Sequence, residues 1–290
     1  MPVKRLRSVY PFKIKNKGRL FAFLFVLQRI KICDKIYENC FSEDNMNFEN
    51  LSTGWNDLVY EASNGVTLKY QLYIPQNLDT AKDYPAILYM HSAGVRCDDN
   101  SHIYTGEAKF LRNIEEGAYK DDVLIIAPCC PKSAKWVDVD AWDSVEFDSD
   151  VMAPSPHMTA ALEIFGKFLD AFPIDMSRLY LYGMSMGGLA VWDILARRPK
   201  VFAAAAIAAG RGTPMHANRM VDVAIWIFHG TKDNAVPYRH ALIMHDALVN
   251  AGKTDLRFTT FENAGHGIWE KTANTKGFID WMFAQKRFDK

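Results

Sequence analysis

The sequence predicts an α/β protein with a doubly wound, mostly parallel sheet of about eight strands and helices on both faces. Two observations support this fold class. Short β-prone segments alternate with helical segments from residue 85 to the end of the chain, which is the order of parallel strands joined by crossover helices. Most of these β segments are continuously apolar, as expected of strands that are buried on both faces of a sheet.

The individual elements can be assigned in order. Residues 56–62 and 66–74 alternate in polarity around the turn signal Ser63-Asn64-Gly65, which predicts an antiparallel hairpin. Six further strands are predicted at residues 85–90, 123–127, 179–182, 203–208, 224–228 and 256–261. Helices are predicted at about 103–115, 156–171, 187–197, 237–251 and 274–286. No linker or repeat divides the chain after residue 50, so residues 46–290 are predicted to form one domain.

Residues 1–45 are predicted to be a basic extension outside this domain. They contain 10 Lys and Arg against 4 Asp and Glu, a net charge of +6. The apolar run at residues 20–27 is too short to span a bilayer as a helix. Charged residues follow it at once and no small-residue cleavage site appears, which argues against a signal peptide. A weak signal or surface anchor, a docking helix, and an extension upstream of a true start near Met46 all remain open, and a cytoplasmic location is slightly favoured over secretion.

Composition gives no sign of a nucleic-acid partner or a metal site, but it does not identify the partner that the chain does bind. The chain is 49% hydrophobic and its formal net charge is zero, so nothing indicates a nucleic-acid partner. The cysteines are odd in number and show no metal-ligand spacing, so buried or unreactive thiols are the preferred interpretation. They are Cys33, Cys40, Cys97, Cys129 and Cys130.

The clearest chemical signal lies in residues 179–193. A β-prone run ends at Gly183 and a helical pattern starts after Gly187, so the Gly-Met-Ser-Met-Gly sequence between them occupies a strand-to-helix turn. Glycines two residues before and after Ser185 let the strand and helix approach closely. Such a turn exposes the serine hydroxyl and places the Met186 amide at a helix N-terminus, where it can donate to an oxyanion. The sequence therefore predicts a nucleophile elbow.

A nucleophilic serine needs a base and a carboxylate that orients it. His266 lies between two glycines just after the last predicted strand, and Asp233 follows the C-terminal end of an earlier strand. The carboxyl ends of parallel strands meet at one edge of the sheet, so Ser185, Asp233 and His266 are predicted to form a catalytic triad. Glu262 and His229 remain alternatives for the carboxylate and for a histidine at this site.

The second oxyanion donor is expected in the loop that follows residues 85–90. That loop reads His91-Ser92-Ala93-Gly94. If it forms a tight turn, the Ala93 amide would face the Met186 amide, and His91 would brace the loop.

From about Trp55 to the C-terminus, the chain resembles the serine α/β-hydrolases. It is most similar to bacterial carboxylesterases of the feruloyl and acetyl-xylan esterase type, also called phospholipase/carboxylesterase or prolyl-oligopeptidase-like. The resemblance rests on residues 91–94, 130–136, 183–187, 228–233 and 264–269. It implies the α/β-hydrolase fold, a Ser185/His266/Asp233 triad, oxyanion amides from Met186 and Ala93, and no metal or organic cofactor. Ser92 departs from the family's usual glycine, and a positive φ there would strain it.

Substrate selection is expected from the loops. Residues 129–156 form a long connection, typical of a functional wall or lid, and carry Trp136 and Trp142. Either could stack on a sugar or aromatic acyl group, or fill the core beneath the loop. Trp269 is a candidate to line the pocket or anchor the last helix, and residues 211–216 are a candidate for the opposite wall.

Six acidic residues share the long loop. Their spacing lacks the glycine and terminal glutamate of an EF-hand, so a solvated face is favoured over a Ca²⁺ site. They are Asp138, Asp140, Asp143, Glu146, Asp148 and Asp150.

The predicted function is that of a serine carboxylesterase acting through an acyl-enzyme on a small-molecule or carbohydrate ester. Acetyl and feruloyl esters of plant polysaccharides are the candidate substrates. Two alternatives stay open: a serine peptidase of the prolyl-oligopeptidase-like type, which uses the same triad on amides, and a non-catalytic binding protein on a hydrolase fold. The sequence does not predict an oligomeric state.

Overall fold

The computed structural model describes residues 51–143 and 147–287. Eight strands form one sheet. They are β1 (Gly54–Glu61), β2 (Thr67–Ile74), β3 (Tyr84–Met90), β4 (Leu124–Cys129), β5 (Ile174–Met184), β6 (Ala204–Ala208), β7 (Ala224–Gly230) and β8 (Leu256–Phe261). Their order across the sheet is β1-β2-β4-β3-β5-β6-β7-β8.

The sheet is antiparallel at one edge and parallel elsewhere. β1 pairs with β2 and β2 with β4 in antiparallel register, whereas every pair from β4-β3 to β7-β8 is parallel. The predicted hairpin therefore forms, with its turn closed by a hydrogen bond from the Gly65 amide to the Ala62 carbonyl. The parallel strands all present their carboxyl ends at one edge, where ligands bind in open α/β sheets.

Six α-helices are described. They are α1 (Lys109–Glu115), α2 (Pro156–Ala171), α3 (Met186–Arg197), α4 (Arg239–Asn250), α5 (Trp269–Ala273) and α6 (Phe278–Ala284). Short 3-10 segments occur at Ala93–Val95, Ser101–Tyr104, Gly106–Ala108 and Pro214–Met220. The start of α2 is well specified, because Ser155 Oγ accepts a hydrogen bond from the Met158 amide and proline occupies the first helical turn.

The helices cover both faces of the sheet, as the sequence predicts. Along β3, Ala86, Leu88 and Met90 pack in the cluster that contains α2, α3 and α4. The alternating residues Ile87 and Tyr89 pack in the cluster that contains α1 and α6. Because side chains alternate across a strand, these continuously apolar strands supply two hydrophobic cores at once. The architecture is that of the α/β-hydrolase fold.

Two predicted helices differ from the observed ones. The predicted helix at 103–115 is broken at Thr105, whose extended backbone separates two 3-10 segments before α1 begins. The predicted helix at 274–286 starts only at Phe278, because Gly277 precedes it with a left-handed φ of 75°. The sequence analysis did not find α5, which has too few residues to show helical periodicity.

The basic extension, Met46, Cys33 and Cys40 lie outside the described residues, so the boundary at residue 45 stays a prediction. Glu146 also lies outside them. Within the part of the chain that the structure describes, no helix combines the length and the apolar character needed to cross a membrane.

Candidate active site

The turn between β5 and α3 holds Ser185 in a strained conformation. Its φ of 53° and ψ of −117° lie outside the regions that residues with a side chain ordinarily adopt. The turn is tightly enclosed, since a methyl group on Gly183 would overlap the Gly187 carbonyl, and one on Gly187 would overlap the Met90 carbonyl. The Ser185 amide donates to the Ala208 carbonyl at 2.8 Å, which fixes the turn against β6. This local structure matches the predicted elbow geometry.

The structure brings Ser185, His266 and Asp233 together in one hydrogen-bonded chain. His266 Nε2 lies 2.8 Å from Ser185 Oγ, and His266 Nδ1 lies 2.7 Å from Asp233 Oδ2. An ionised carboxylate only accepts hydrogen bonds, so Nδ1 carries the proton and Nε2 accepts the serine hydroxyl. Ser185 and Asp233 are buried and His266 is half-buried. The imidazole therefore stands between a buried acid and the crevice.

Asp233 is held by more than its bond to His266. Its Oδ1 accepts hydrogen bonds from the Ala235 and Val236 amides at 2.9 Å each. Its Oδ2 also lies 3.2 Å from His229 Nε2. Burial opposes ionisation of this carboxyl, but the hydrogen bonds from His229, His266 and the Val236 amide outweigh it and hold the Asp233 pKa below its ordinary value. Asp233 is thus a carboxylate at neutral pH.

The alternatives to these residues occupy other places. Glu262 is exposed at the end of β8, and it is Asp233 that hydrogen-bonds to His266. His229 is fully buried, and its Nε2 also contacts the Val236 carbonyl at 2.8 Å. It therefore contacts Asp233 as a buried structural residue at the end of β7.

The two predicted oxyanion donors lie on neighbouring segments, since Gly187 at the start of α3 packs against the Met90 and His91 carbonyls. Met186 is the first residue of α3, and Ala93 is the first residue of the 3-10 segment after β3. The predicted strain at Ser92 is wrong: its φ is −76° and its ψ is 169°. Ser92 has ordinary extended geometry because it caps the 3-10 segment, with Oγ accepting a hydrogen bond from the Gly94 amide at 3.1 Å.

His91 braces this loop. The Cys130 amide donates to His91 Nε2 at 2.8 Å, and His91 Nδ1 donates to the Ser92 carbonyl at 2.7 Å. Burial lowers the His91 pKa to about 4, so the ring is neutral and both nitrogens keep these roles at neutral pH.

Trp136 belongs to the same brace and does not line the crevice. Its side chain is fully buried, its Nε1 donates to the His91 carbonyl at 3.2 Å, and its ring meets the His91 ring edge-on. The prediction that Trp136 stacks on substrate is therefore corrected in favour of the core-filling alternative. A buried Trp136 ring stabilises the loop, because its apolar surface is removed from water and its N–H still has a hydrogen-bond acceptor.

The other two tryptophans predicted to bind substrate, Trp142 and Trp269, are partly exposed. Trp269, in α5, places its ring edge-on to the His266 ring with centroids 5.3 Å apart. It thus lies beside the base, while also packing on the core. Trp142 packs against the core, with the Lys135 ammonium 5.2 Å from its ring centroid.

The long loop at 129–156 is anchored rather than loose. Arg197, near the end of α3, donates to the Ser149 and Met152 carbonyls at 2.8 and 2.7 Å and forms an ion pair with buried Asp193. The Ser149 hydroxyl also donates to Asp193 at 2.7 Å. The part of the long loop around Ser149 and Met152 is therefore fixed to α3, the helix that begins directly after Ser185.

The predicted opposite wall contacts this same loop. Arg211 is buried with its guanidinium over the Phe147 ring, at 5.8 Å from the centroid. His216 and Arg219 bind Asp148 and Asp150. Asp150 is exposed and Asp148 is partly exposed, so both acids lie on a solvated face, as expected, and each has a partner there.

Glu107 is a neighbour of the site that the sequence analysis missed. Its carboxyl lies within hydrogen-bonding reach of the Ser92 hydroxyl and amide, and burial raises its pKa. Its Oε2 is buried with no hydrogen-bond partner among the described residues. No spacing in the sequence relates Glu107 to a motif, because a loop and a 3-10 segment bring it under Ser92.

Comparison with known proteins bears on the fold and the class of hydrolase. Residues 150–280 match the model of the dienelactone hydrolase family. A thermostable esterase superimposes with a TM-score of 0.71 at 27% identity, over 80% of this chain and 63% of that protein. The chain therefore spans less than two thirds of that esterase. No curated protein matches the chain.

Two more distant structures share the fold. A ferulic acid esterase from the anaerobic fungus Anaeromyces mucronatus has a TM-score of 0.57 at 15% identity, with 79% of this chain and 90% of that one covered. A candidate dipeptidyl aminopeptidase IV from Bacteroides ovatus has a TM-score of 0.55 at 16% identity, with 80% and 35% covered. At these identities, the likeness concerns the fold alone.

Proposed function

We propose that this α/β-hydrolase, whose residues 150–280 match the dienelactone hydrolase family, is a serine esterase that cleaves carboxylic esters through an acyl-enzyme. The observation that carries the proposal is the continuous hydrogen-bonded chain from Asp233 through His266 to Ser185. It lies at the carboxyl edge of a parallel sheet, with the serine on a strained turn. A buried structural serine has no need of a base on its hydroxyl and a carboxylate behind that base.

In the proposed mechanism, His266 Nε2 takes the hydroxyl proton as Ser185 Oγ attacks the ester carbonyl. The Met186 and Ala93 amides donate to the oxyanion that develops. The imidazolium then protonates the leaving alcohol, and the acyl-enzyme remains. A water molecule, deprotonated by the same imidazole, attacks the acyl carbonyl and regenerates the free serine.

Asp233 stabilises the charged states of this cycle. The imidazolium carries a positive charge when the oxyanion carries a negative one, and a buried carboxylate at 2.7 Å favours that charge separation. The low pKa of Asp233 keeps the carboxylate ionised while its neighbour is protonated. The acid therefore fixes the tautomer before the reaction and offsets the charge during it.

The substrate class we propose is an acetyl or aromatic acyl ester of a small alcohol or a sugar. The support comes from the esterase named above, at 27% identity, and from Trp269, whose half-exposed ring lies next to the base. An aromatic acyl group would find there an edge-to-face partner of the kind that stabilises ring pairs.

The test is hydrolysis of p-nitrophenyl acetate by the wild type and Ser185→Ala, with Ser177→Ala as the matched control. Ser177 lies in the same strand, β5, and its hydroxyl donates to Asp175 at 2.6 Å. Ser185→Ala should lose roughly a thousandfold or more of the turnover, while Ser177→Ala keeps it. Equal turnover by Ser185→Ala, confirmed folded by circular dichroism, would exclude the proposed nucleophile.

The same preparations distinguish the two alternatives. A fluorophosphonate probe labels an activated serine whatever bond the enzyme cleaves. Labelling of Ser185 without ester turnover, together with hydrolysis of a peptide p-nitroanilide, would identify a peptidase. A folded wild-type protein that neither turns over esters nor accepts the probe would be the non-catalytic binding protein.

A further inference from the structure

A second cluster of reactive side chains lies behind the loop that carries Ala93. It contains Cys97, which follows the first 3-10 segment, His102 in the next 3-10 segment, and Cys129 at the end of β4. These side chains are 7%, 0% and 2% exposed. We propose that the Cys97–His102–Cys129 cluster binds a thiophilic divalent cation, for which Zn²⁺ is the best match.

The donor atoms already stand close to the separations that such an ion requires. All three lie within 4.8 Å of one another, and Cys97 Sγ is 3.7 Å from His102 Nδ1. With Zn–S near 2.3 Å and Zn–N near 2.0 Å, tetrahedral geometry sets the sulfur–nitrogen separation at about 3.6 Å and the sulfur–sulfur separation at about 3.8 Å. The cluster therefore needs to contract by ~1 Å at most.

The cluster is poorly explained by hydrogen bonding alone. The Cys129 thiol donates to the Cys97 carbonyl at 3.0 Å, but the thiol–imidazole contact at 3.7 Å is a weak bond. His102 Nε2 is buried with no hydrogen-bond partner among the residues described. Burying polar groups with so few partners costs stability. A cation shared by two sulfurs and one nitrogen would offset that cost.

The ligand types are selective. Two thiols with one imidazole suit Zn²⁺, whereas Mg²⁺ and Ca²⁺ require oxygen ligands. Zinc binds cysteine as the thiolate, so the ion would displace the two thiol protons when it binds.

The three side chains leave the fourth position of a tetrahedron for a water molecule, as in zinc sites with three protein ligands. Asp99, between Cys97 and His102 in the chain, is exposed, so this part of the loop gives an ion a route from solvent.

Cysteine spacing does not reveal this arrangement, because β4 supplies the third ligand 32 residues after Cys97. The sequence analysis treated these cysteines as buried, unreactive thiols, and it did not consider His102 with them. Only the folded chain brings the three donors together. A bound ion would tie the loop to β4 directly behind the brace formed by His91, whose ring centroid lies 4.8 Å from that of His102.

The experiment is a Co²⁺ titration of reduced, chelator-treated full-length protein, followed by visible absorption. Thiolate-bound cobalt absorbs strongly near the ultraviolet. The wild type should therefore show a thiolate absorption band that saturates at about one cobalt ion per chain. Addition of Zn²⁺ should abolish the band, because zinc competes for the same ligands. Cys97→Ser should lose the band. The matched control Cys130→Ser should keep it, because Cys130 is equally buried beside Cys129 but lies outside the cluster.

A second measurement uses wild-type protein alone and does not depend on whether a variant folds. Excess Zn²⁺ should raise its melting temperature by roughly 5 °C or more, and EDTA should reverse the shift. Ser185→Ala should behave in the same way, which separates this proposal from the esterase assignment. The absence of both the cobalt band and the melting shift in reduced wild type would overturn it. So would an undiminished band in folded Cys97→Ser.

Discussion

His229 Nε2 lies 3.2 Å from Asp233 Oδ2, the same oxygen that accepts the hydrogen bond from His266. The other oxygen of Asp233 is occupied by two main-chain amides. Four donors, two imidazoles and two main-chain amides, thus hold the carboxylate and prevent it from rotating freely. Because an ordered acid orients the base, we expect His229 to act as a positioning residue through Asp233.

His229→Ala should lower kcat roughly tenfold, whereas His229→Gln should retain most of it because its amide can still donate to Asp233. Steady-state kinetics of ester hydrolysis measure kcat and KM for both variants. A loss of the same size in His229→Ala and His229→Gln would indicate a packing role only.

Asp233→Asn should reduce kcat by roughly 10³- to 10⁴-fold, because an amide cannot hold the His266 tautomer or offset the imidazolium charge. Steady-state kinetics on p-nitrophenyl acetate measure it. Glu262→Gln serves as the control, since Glu262 is exposed, and it should retain near-normal turnover. The reverse result would move the acid to Glu262.

The same substitution should change the acid stability of the protein. The Asp233 pKa is lower in the folded state than in the unfolded chain, so ionised Asp233 contributes stability above about pH 4 that is lost as the pH falls below this value. Urea unfolding of the wild type and Asp233→Asn at several pH values should show a difference that shrinks on acidification. A difference that grows at low pH would contradict the assigned direction.

Gly187→Ala should destabilise the protein by about 3 kcal/mol or more, because the new methyl group would overlap the Met90 carbonyl and force α3 away from β3. Gly267→Ala is the matched control: it lies beside His266, yet a methyl group there would meet nothing within 4 Å. Thermal unfolding should show a large decrease in melting temperature for the first variant only. Equal stability of the two would mean that the elbow has room to relax.

Lys253 leads to a prediction about the stability of the protein at alkaline pH. Its ammonium is buried against the Val221 and Val223 carbonyls, and burial lowers its pKa to about 8. Between this pH and the ordinary lysine pKa, the unfolded chain binds one more proton than the folded one. The free energy of unfolding should therefore rise relative to Lys253→Met between about pH 8 and 10.4, by at most roughly 3 kcal/mol. Parallel denaturation curves of both proteins at pH 7.5 and 10 test the sign.

Glu107→Ala should lower kcat roughly tenfold, because the Glu107 carboxyl packs against the Ser92-Gly94 turn and the loop with Ala93 would be less ordered without it. Glu107→Gln keeps a carbonyl acceptor in the same place and should retain most of the activity. KM and kcat should be measured separately, since a poorly ordered oxyanion donor affects kcat more than KM. An equal loss in both variants would indicate a need for the carboxyl itself.

The sequence predicted those parts of the molecule that depend on local pattern. Apolar runs located the strands, and the glycines around Ser185 located the elbow, because both follow from steric requirements that act within a few residues. The positions of Asp233 and His266 could be inferred because they follow strand ends, which the parallel topology places at one edge.

Features that depend on packing between distant segments could not be inferred. Glu107 reaches Ser92 through a broken helical stretch, and His229 contacts Asp233 only because the turn after β7 folds back. Trp136 is fully buried because the loop that carries it closes over His91. Ser92 avoids strain because it caps a 3-10 segment, a local choice that the sequence leaves open.

Helix α3 begins directly after Ser185, the proposed nucleophile, and near its other end Arg197 binds the Ser149 and Met152 carbonyls of the long loop. One helix therefore supports both the proposed reactive group and this segment of the loop. An engineer who exchanges residues 147–152 for a loop of different sequence would need to carry Asp193 and Arg197 along, or provide another anchor. Changes of substrate range should be easier to obtain at side chains on this frame, such as Trp142, than by grafting the frame itself.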